Sequence, residues 1–316
     1  MSTAISAVDL TKEFASGRVK ALNKLTLSIE PGEIFGIIGP NGAGKTTFMS
    51  CLLGALYPTS GTLLIDGKNP DDIEVHRWLG YLPERLEFTK WMTGMELMKF
   101  HAGLLNQPAK TPDTKIEQLL ERVQLDRPAW TRKIKNYSRG MLQRVGMAQA
   151  LLGEPRLLLL DEPSSGLDPV GVKLFQQLLR EEKAKGTTIV INSHQLDQLE
   201  KICDRVAFIK SGIVQTLEVM KDTVARDGLL ALKWSLEANE KVTSELVEKA
   251  VADAGATVQT FEFPTALVNI SGEEMSARVI SNLALAGVAP AQAFPNEGRL
   301  ESIFLQSATS DSRGTP

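Results

Sequence analysis

Glycines, a lysine and two threonines fall together in the run Gly39-Pro40-Asn41-Gly42-Ala43-Gly44-Lys45-Thr46-Thr47, which carries the spacing G-x-x-x-x-G-K-[ST]. The chemistry this suits is the binding of a nucleoside triphosphate. Glycines let successive backbone N–H groups close around phosphate oxygens, and a helix starting at the loop points its positive dipole end at the same anion. Lys45 can then reach the outer phosphates, and the Thr46 hydroxyl can serve as a Mg2+ ligand. The context agrees, with a short apolar strand predicted over 33–38 and a helix start over 46–53.

A second chemical cluster ends the run Arg156-Leu157-Leu158-Leu159-Leu160-Asp161-Glu162. Four consecutive leucines before two carboxylates read as a central parallel strand whose carboxyl end faces the ligand. Asp161 is then placed to hold Mg2+, and Glu162 to take a proton from an attacking water. A turn follows in Ser164-Ser165-Gly166-Leu167-Asp168-Pro169. His194 lies just past another predicted strand, on the ligand side of the same sheet, where a ring nitrogen can orient water beside the γ-phosphate. Tyr137-Ser138-Arg139-Gly140-Met141 precedes a helix predicted over 141–152 and sets a small polar residue and a glycine at its start. One chain has one triphosphate to hold, so this second anion-binding end suits a nucleotide held by another chain. An ordinary N-cap serine is the structural alternative.

These residues need a sheet to carry them. Residues 1 to about 220 alternate apolar strands (5–10, 22–29, 62–65, 157–160, 187–191, 206–209) with helical stretches, the pattern of an α/β nucleotide-binding domain. A mostly helical insert over about 91–150 separates the two chemical clusters. The first domain is placed at 1–227 and an accessory domain at 229–306. There the order strand 229–236, helix 240–254, strands 257–263 and 266–270, helix 273–286 and strand 288–294 is βαββαβ, the α+β ferredoxin-like pattern. That second stretch carries 5 Lys/Arg against 10 Asp/Glu and has neither His nor Cys, which disfavours a soft-metal site. The tail 307–316 is small and polar, as in disordered segments.

Composition narrows the function classes. A formal net charge of -3 over 316 residues argues against nucleic acid as a partner. No apolar run approaches the ~18–20 residues that cross a bilayer, and the N-terminus lacks the pattern of a secretory signal. Cys51 and Cys203 are predicted to lie in helices far apart in sequence and to be buried thiols, which suits a cytoplasmic protein.

The chain resembles the ATP-binding subunits of ABC transporters over residues 1 to about 220. Its phosphate loop, the 157–162 strand, the 165–169 turn containing Asp168, and His194 match that family's Walker A, Walker B, D-loop and switch histidine in the family's order. Residues 137–141 match the signature Leu-Ser-Gly-Gly-Gln, with Arg139 in place of the first glycine and Met141 in place of the glutamine; Ser138 and Gly140 are retained. The resemblance implies that Phe14 stacks on adenine. It also places Glu84, in Gly80-Tyr81-Leu82-Pro83-Glu84, where the family has its Q-loop glutamine and a Mg2+ contact. ATP and Mg2+ are the implied ligands. Two copies, or one copy and a related ATPase, would face each other around two ATP molecules, each ATP held by one chain's loop and the other chain's Ser138 and Gly140. The work would pass to a separate integral membrane permease near residues 85–104, the only membrane contact. The Leu82-Pro83-Glu84 form, the signature and the C-terminal module are similar to the ABC-2, exporter-like branch. Residues 81–84 and 137–160 are similar to the ATPases that serve copper-site maturation of nitrous-oxide reductase, with drug, lipid or polysaccharide export equally open. The rival expectation is an ABC ATPase acting on the ribosome or DNA, but a single phosphate loop and the lack of sustained heptads or a basic arm speak against it.

Overall fold

Alternating apolar positions make β1 (Ile5–Phe14) and β2 (Val19–Ile29) one-sided strands, whereas β3 (Ile34–Ile38) is apolar and buried at every position. That difference sorts them into two sheets, since only a sheet covered on both faces accepts a strand apolar throughout. In the computed structural model, residues 3–15, 17–105, 112–220, 227–235, 242–296 and 300 are described, and the chain divides into the units Met1–Met220 and Lys221–Pro316.

In the first unit, α1 (Lys45–Leu52) follows the phosphate loop, and β4 (Ser60–Ile65) pairs with β1 in a three-stranded antiparallel sheet ordered β2-β1-β4. After α2 (Ile73–Arg77) comes β5 (Leu79–Leu82). The insert holds α3 (Gly94–Leu104), α4 (Asp113–Arg122), α5 (Arg127–Trp130), a 3-10 turn at Ile134–Asn136, and α6 (Arg139–Leu151). Then β6 (Leu157–Asp161), α7 (Pro169–Ala184), β7 (Thr188–Asn192), α8 (Leu196–Ile202), β8 (Arg205–Lys210) and β9 (Ile213–Val219) complete the unit. The larger sheet runs β5-β6-β7-β3-β8-β9, parallel except for the β8–β9 pair.

Phe48, Met49 and Leu52 of α1 pack into one core with Leu10, Leu22 and Leu25 of the small sheet and Phe35, Ile37, Leu157 and Leu159 of the large one. Each such side chain contributes about 1.5–3 kcal/mol by leaving water. The loop and its helix are therefore anchored between two sheets. The insert is fastened to the large-sheet region by Arg122, which reaches Glu181 at 2.7 Å and the nearly buried Glu182 at 2.6 Å.

Four local expectations change. The signature helix begins at Arg139 rather than at residue 141, because the Ser138 side chain caps it by accepting from the Met141 N–H at 3.3 Å. Strands β5 and β9 join those read from the sequence: β5 has four residues and contains Gly80, and β9 is an edge strand. Cys203 sits at the C-cap of α8 rather than within a helix; both cysteines are free and buried, and burial pushes the Cys51 thiol up to about 11.

The second unit has β10 (Asp227–Lys233), α9 (Ser244–Ala252), β11 (Thr257–Glu262), β12 (Thr265–Ser271), α10 (Glu273–Leu285) and β13 (Gln292–Asn296). The last strand starts at Gln292, not at residue 288, because Val288 still closes the turn after α10, its N–H donating to the Leu283 carbonyl at 3.0 Å, and pairing with β10 begins at Gln292. The Val288 carbonyl accepts the Trp234 indole N–H at 2.7 Å. The sheet order is β11-β12-β10-β13, antiparallel throughout, over a core of Leu230, Trp234, Val247, Val268 and Leu283. The tail expected to be disordered, 307–316, lies outside the described residues.

Candidate functional site

The loop that joins β3 to α1 is shaped by three glycines with positive φ, Gly39, Gly42 and Gly44, at 156°, 79° and 106°. Two of them are also sterically required. A side chain on Gly39 would run into the Ile209 carbonyl, and one on Gly44 into the carbonyl of Ala21. Gly44 is the N-cap of α1 and supplies no side chain to its first turn, which also carries no acidic residue. The first-turn amides thus keep their positive end for an anion. Pro40 and Asn41 form the exposed rim, Ala43 is buried beneath it, and Thr46 and Thr47 open the helix.

Lys45 turns back over the loop, with its ammonium donating to the carbonyls of Gly39 at 2.7 Å and Pro40 at 3.0 Å. Burial pushes its pKa down, against the opposing pull of Glu162 and Asp161. Those carboxylates stand at the end of β6; β7 beside it, and β3 on the far side of β7, bring residues 192–194 and the loop to the same edge. Asp161 accepts the Asn192 amide at 2.6 Å. Burial raises its pKa, the Asn192 bond opposes this, and the charges of Glu84 and Glu162 add to the rise. Glu84, just beyond β5, is exposed, and its charge reaches Asp161.

Glu162 has φ of 50°, an uncommon conformation for a residue with a side chain and one that clusters at functional sites. Its N–H donates to the Asn192 carbonyl at 2.8 Å. Its carboxylate accepts the His194 N–H at 3.0 Å and the Ser193 hydroxyl at 3.3 Å, and lies 2.8 Å from His194 Nδ1. The His194 ring is 71% exposed, so it links Glu162 to the open surface.

Hard oxygen donors from Thr46, Asp161 and Glu84 fit Mg2+, and a divalent cation would offset the negative charge that Glu84 and Glu162 place near the buried Asp161. Among the described residues no cluster of three or more His, Cys, Asp or Glu forms a closed metal cage. A Mg2+ ion sharing phosphate oxygens needs only one or two carboxylates.

Asp161→Asn is expected to stabilise the protein. A carboxyl with a raised folded pKa favours the folded state most at acid pH, and that contribution is lost as pH rises through the window above the ordinary carboxylate value. At neutral pH the buried charge is a cost, so the amide should add about 1 kcal/mol, or roughly 2–4 °C in Tm. The gain should vanish at acid pH. Thermal melts at several pH values check this, and equal gains throughout would refute it.

Ser138, Gly140 and Asp168 form a second group, lining a surface cavity of about 600 Å³ with Arg139 and Leu167. Gly140 faces Gly166 and Leu167 of its own chain, and Asp168 caps α7 by accepting the Gly171 N–H at 2.7 Å. Phe14, 40% exposed, ends the β1–β2 hairpin, which meets the loop where Ala21 and Leu22 abut Gly44; Lys12 Nζ lies 5.3 Å from the Phe14 ring centroid. Sequence reasoning missed Asn192, Ser193 and Gln143. The first two could have been found as polar residues ending an apolar strand. Gln143, buried on α6 with its amide donating to the Pro163 carbonyl at 2.7 Å, had no such signal.

Residues 22–165 match the family model described as ABC transporter. The chain is 42% identical over 210 residues to the uncharacterized ABC transporter ATP-binding protein all4389 of Nostoc sp., covering 65% of this chain and 63% of that relative, so it spans less than two thirds of that protein's length. It is 39% identical over 216 residues to the bacitracin transport ATP-binding protein BcrA of Bacillus licheniformis, covering 67% of this chain and 68% of that one. The dimeric structure of MJ0796, a bacterial ABC transporter cassette, superposes with a TM-score of 0.64 at 25% identity, over 69% of this chain and 99% of the cassette. By shared sequence and fold, the chain belongs to the family of ABC transporter ATP-binding proteins.

Proposed function

We propose that this chain is the ATP-hydrolysing subunit of an ABC transporter, working as a dimer around two ATP molecules and driving a separate integral membrane permease. The observation that carries the reading is the convergence of Lys45, Asp161 and Glu162 at the mouth of the glycine loop, with Glu162 clamped by Ser193 and His194. The loop amides and Lys45 hold the β- and γ-phosphates. Thr46, Asp161 and Glu84 are the residues that would hold Mg2+, which neutralises developing phosphate charge when bound. Glu162 accepts the proton of the attacking water, and His194, 2.8 Å away, orients that carboxylate. Ser138 and Gly140 serve the triphosphate held by the partner copy; the dimeric cassette of similar fold supports this arrangement.

A groove of about 600 Å³ beside β5, lined by Arg85, Leu86, Phe88, Phe100 and Leu104, suits a helix of the permease. Phe100 is exposed along it and the buried Leu97 forms part of its floor, whereas Met98 is buried. No helix among the described residues is long and apolar enough to cross a membrane, and we place the subunit on the inner face of the cell membrane through that permease. The Leu82-Pro83-Glu84 and 137–141 motifs favour the ABC-2, exporter-like branch. The strand order of the second unit supports a ferredoxin-like accessory domain.

The test is phosphate release and sedimentation of the full chain, alone and with membranes holding its permease. MgATP-dependent release and an ATP-dependent dimer are expected. Neither appearing at saturating MgATP, with or without those membranes, would sink the reading.

A further inference from the structure

The backbone that follows Glu162 is gripped from two directions, and only one belongs to the site described above. On one side stand residues 192–195: Ser193 and His194 hold the Glu162 carboxylate, and the Ser164 hydroxyl donates to Gln195 Oε1 at 3.2 Å. On the other side stands α6. The buried Gln143 amide donates to the Pro163 carbonyl at 2.7 Å, with the Glu162 carbonyl 3.5 Å away. One turn earlier, the Arg139 guanidinium donates to the Ser165 hydroxyl. Its aliphatic stem lies where a side chain on Gly166 would sit, at a position whose φ is 80°. The helix is itself fixed: Gly146 packs within reach of Leu82 and Leu86, and Gly80 lies under the Ala150 carbonyl.

We propose that Gln143 and Arg139 are positioning residues for hydrolysis. They tie the anion-binding start of α6, with Ser138 and Gly140, to the backbone that sets the Glu162 carboxylate of the same chain. This rests on the reading of Glu162 as the base. The physical case is one of constraint. Glu162 occupies a left-handed conformation, and its carbonyl and the next one face the same glutamine amide, so the carboxylate's direction follows from where that amide holds the turn. Removing the donor also leaves the buried Pro163 carbonyl short of a partner, which favours a shift of the turn over its present position. A load on the start of α6 therefore reaches a second catalytic centre without passing through solvent.

Gln143→Met keeps length and shape and removes the donor. In the full chain, kcat for MgATP should fall about 10- to 100-fold, the scale expected of a misplaced catalytic group, with KM changed less than about twofold. In a Glu162→Gln background the same change should cost nothing further, because the group it positions is already gone. A purely structural glutamine would lower activity in both backgrounds and raise KM. Arg139→Ala should lower kcat by about threefold, the modest scale of an exposed contact, and Arg139→Lys should restore it. A parent chain that releases no phosphate, either alone or with membranes holding its permease, overturns the hydrolytic reading and this proposal with it. A parent that turns over while Gln143→Met keeps kcat within about twofold overturns the positioning proposal alone. So does an equal loss in the Glu162→Gln background, and a lysine variant no better than alanine removes Arg139 from it.

Discussion

Glu162→Gln is expected to stop turnover while leaving ATP bound. The substitution keeps the side-chain length and the oxygen that accepts the His194 N–H at 3.0 Å, and it keeps the backbone bond to the Asn192 carbonyl at 2.8 Å. What it removes is the capacity to take a proton, since an amide oxygen is far too weak a base at neutral pH. Loss of a positioned general base costs about 10²–10⁴-fold in kcat. The phosphate loop and Lys45 are untouched, so ATP affinity should hold to within about threefold. Because hydrolysis is what lets the proposed dimer reopen, the variant should accumulate as a dimer in MgATP where the parent cycles. Phosphate release together with light scattering measures both effects. Turnover at the parent rate would mean that another group activates the water, and a variant that stays monomeric with ATP bound would detach hydrolysis from assembly.

Lys45→Ala should instead remove binding itself. The ammonium lies over the loop, held by the Gly39 and Pro40 carbonyls at 2.7 and 3.0 Å, and is drawn toward Asp161 and Glu162. Burial already presses its pKa down, so the site pays desolvation to keep a cation there, and a polyanion is the ligand that repays it. Hydrogen bonds to a charged group are worth about 1.5–3 kcal/mol, which predicts a loss of roughly 10- to 100-fold in ATP affinity. The alanine also leaves Asp161 and Glu162 without their nearby cation, so repulsion of the triphosphate adds to the loss. Titration with a fluorescent ATP analogue in Mg2+ reads the change, and a parallel thermal melt shows that the fold survives. An affinity within about twofold of the parent would show that Lys45 does not touch the phosphates.

The amino-acid sequence determined where the phosphate loop, the Asp161–Glu162 pair, His194 and the βαββαβ order of the second unit lie. Each rests on local chemistry: glycine spacing, an apolar run that two sheet faces must cover, or alternation along a strand. Contacts between residues far apart in the chain could not be read that way. That Asn192 binds Asp161, that Ser193 and His194 clamp Glu162, and that Arg122 fastens the insert to Glu181 and Glu182 all depend on which strands and helices are neighbours. The pairing of β6 with β7 sets residue 161 beside residue 192, and no periodicity in either strand announces it. Gln143 shows the same limit, as a polar residue within a helix whose partner 20 positions away exists only once α6 is packed against the turn after β6. Local propensity selects elements; side-chain partners across a sheet are chosen by topology, because hydrogen bonds act over about 3 Å and only the folded chain brings those atoms so close.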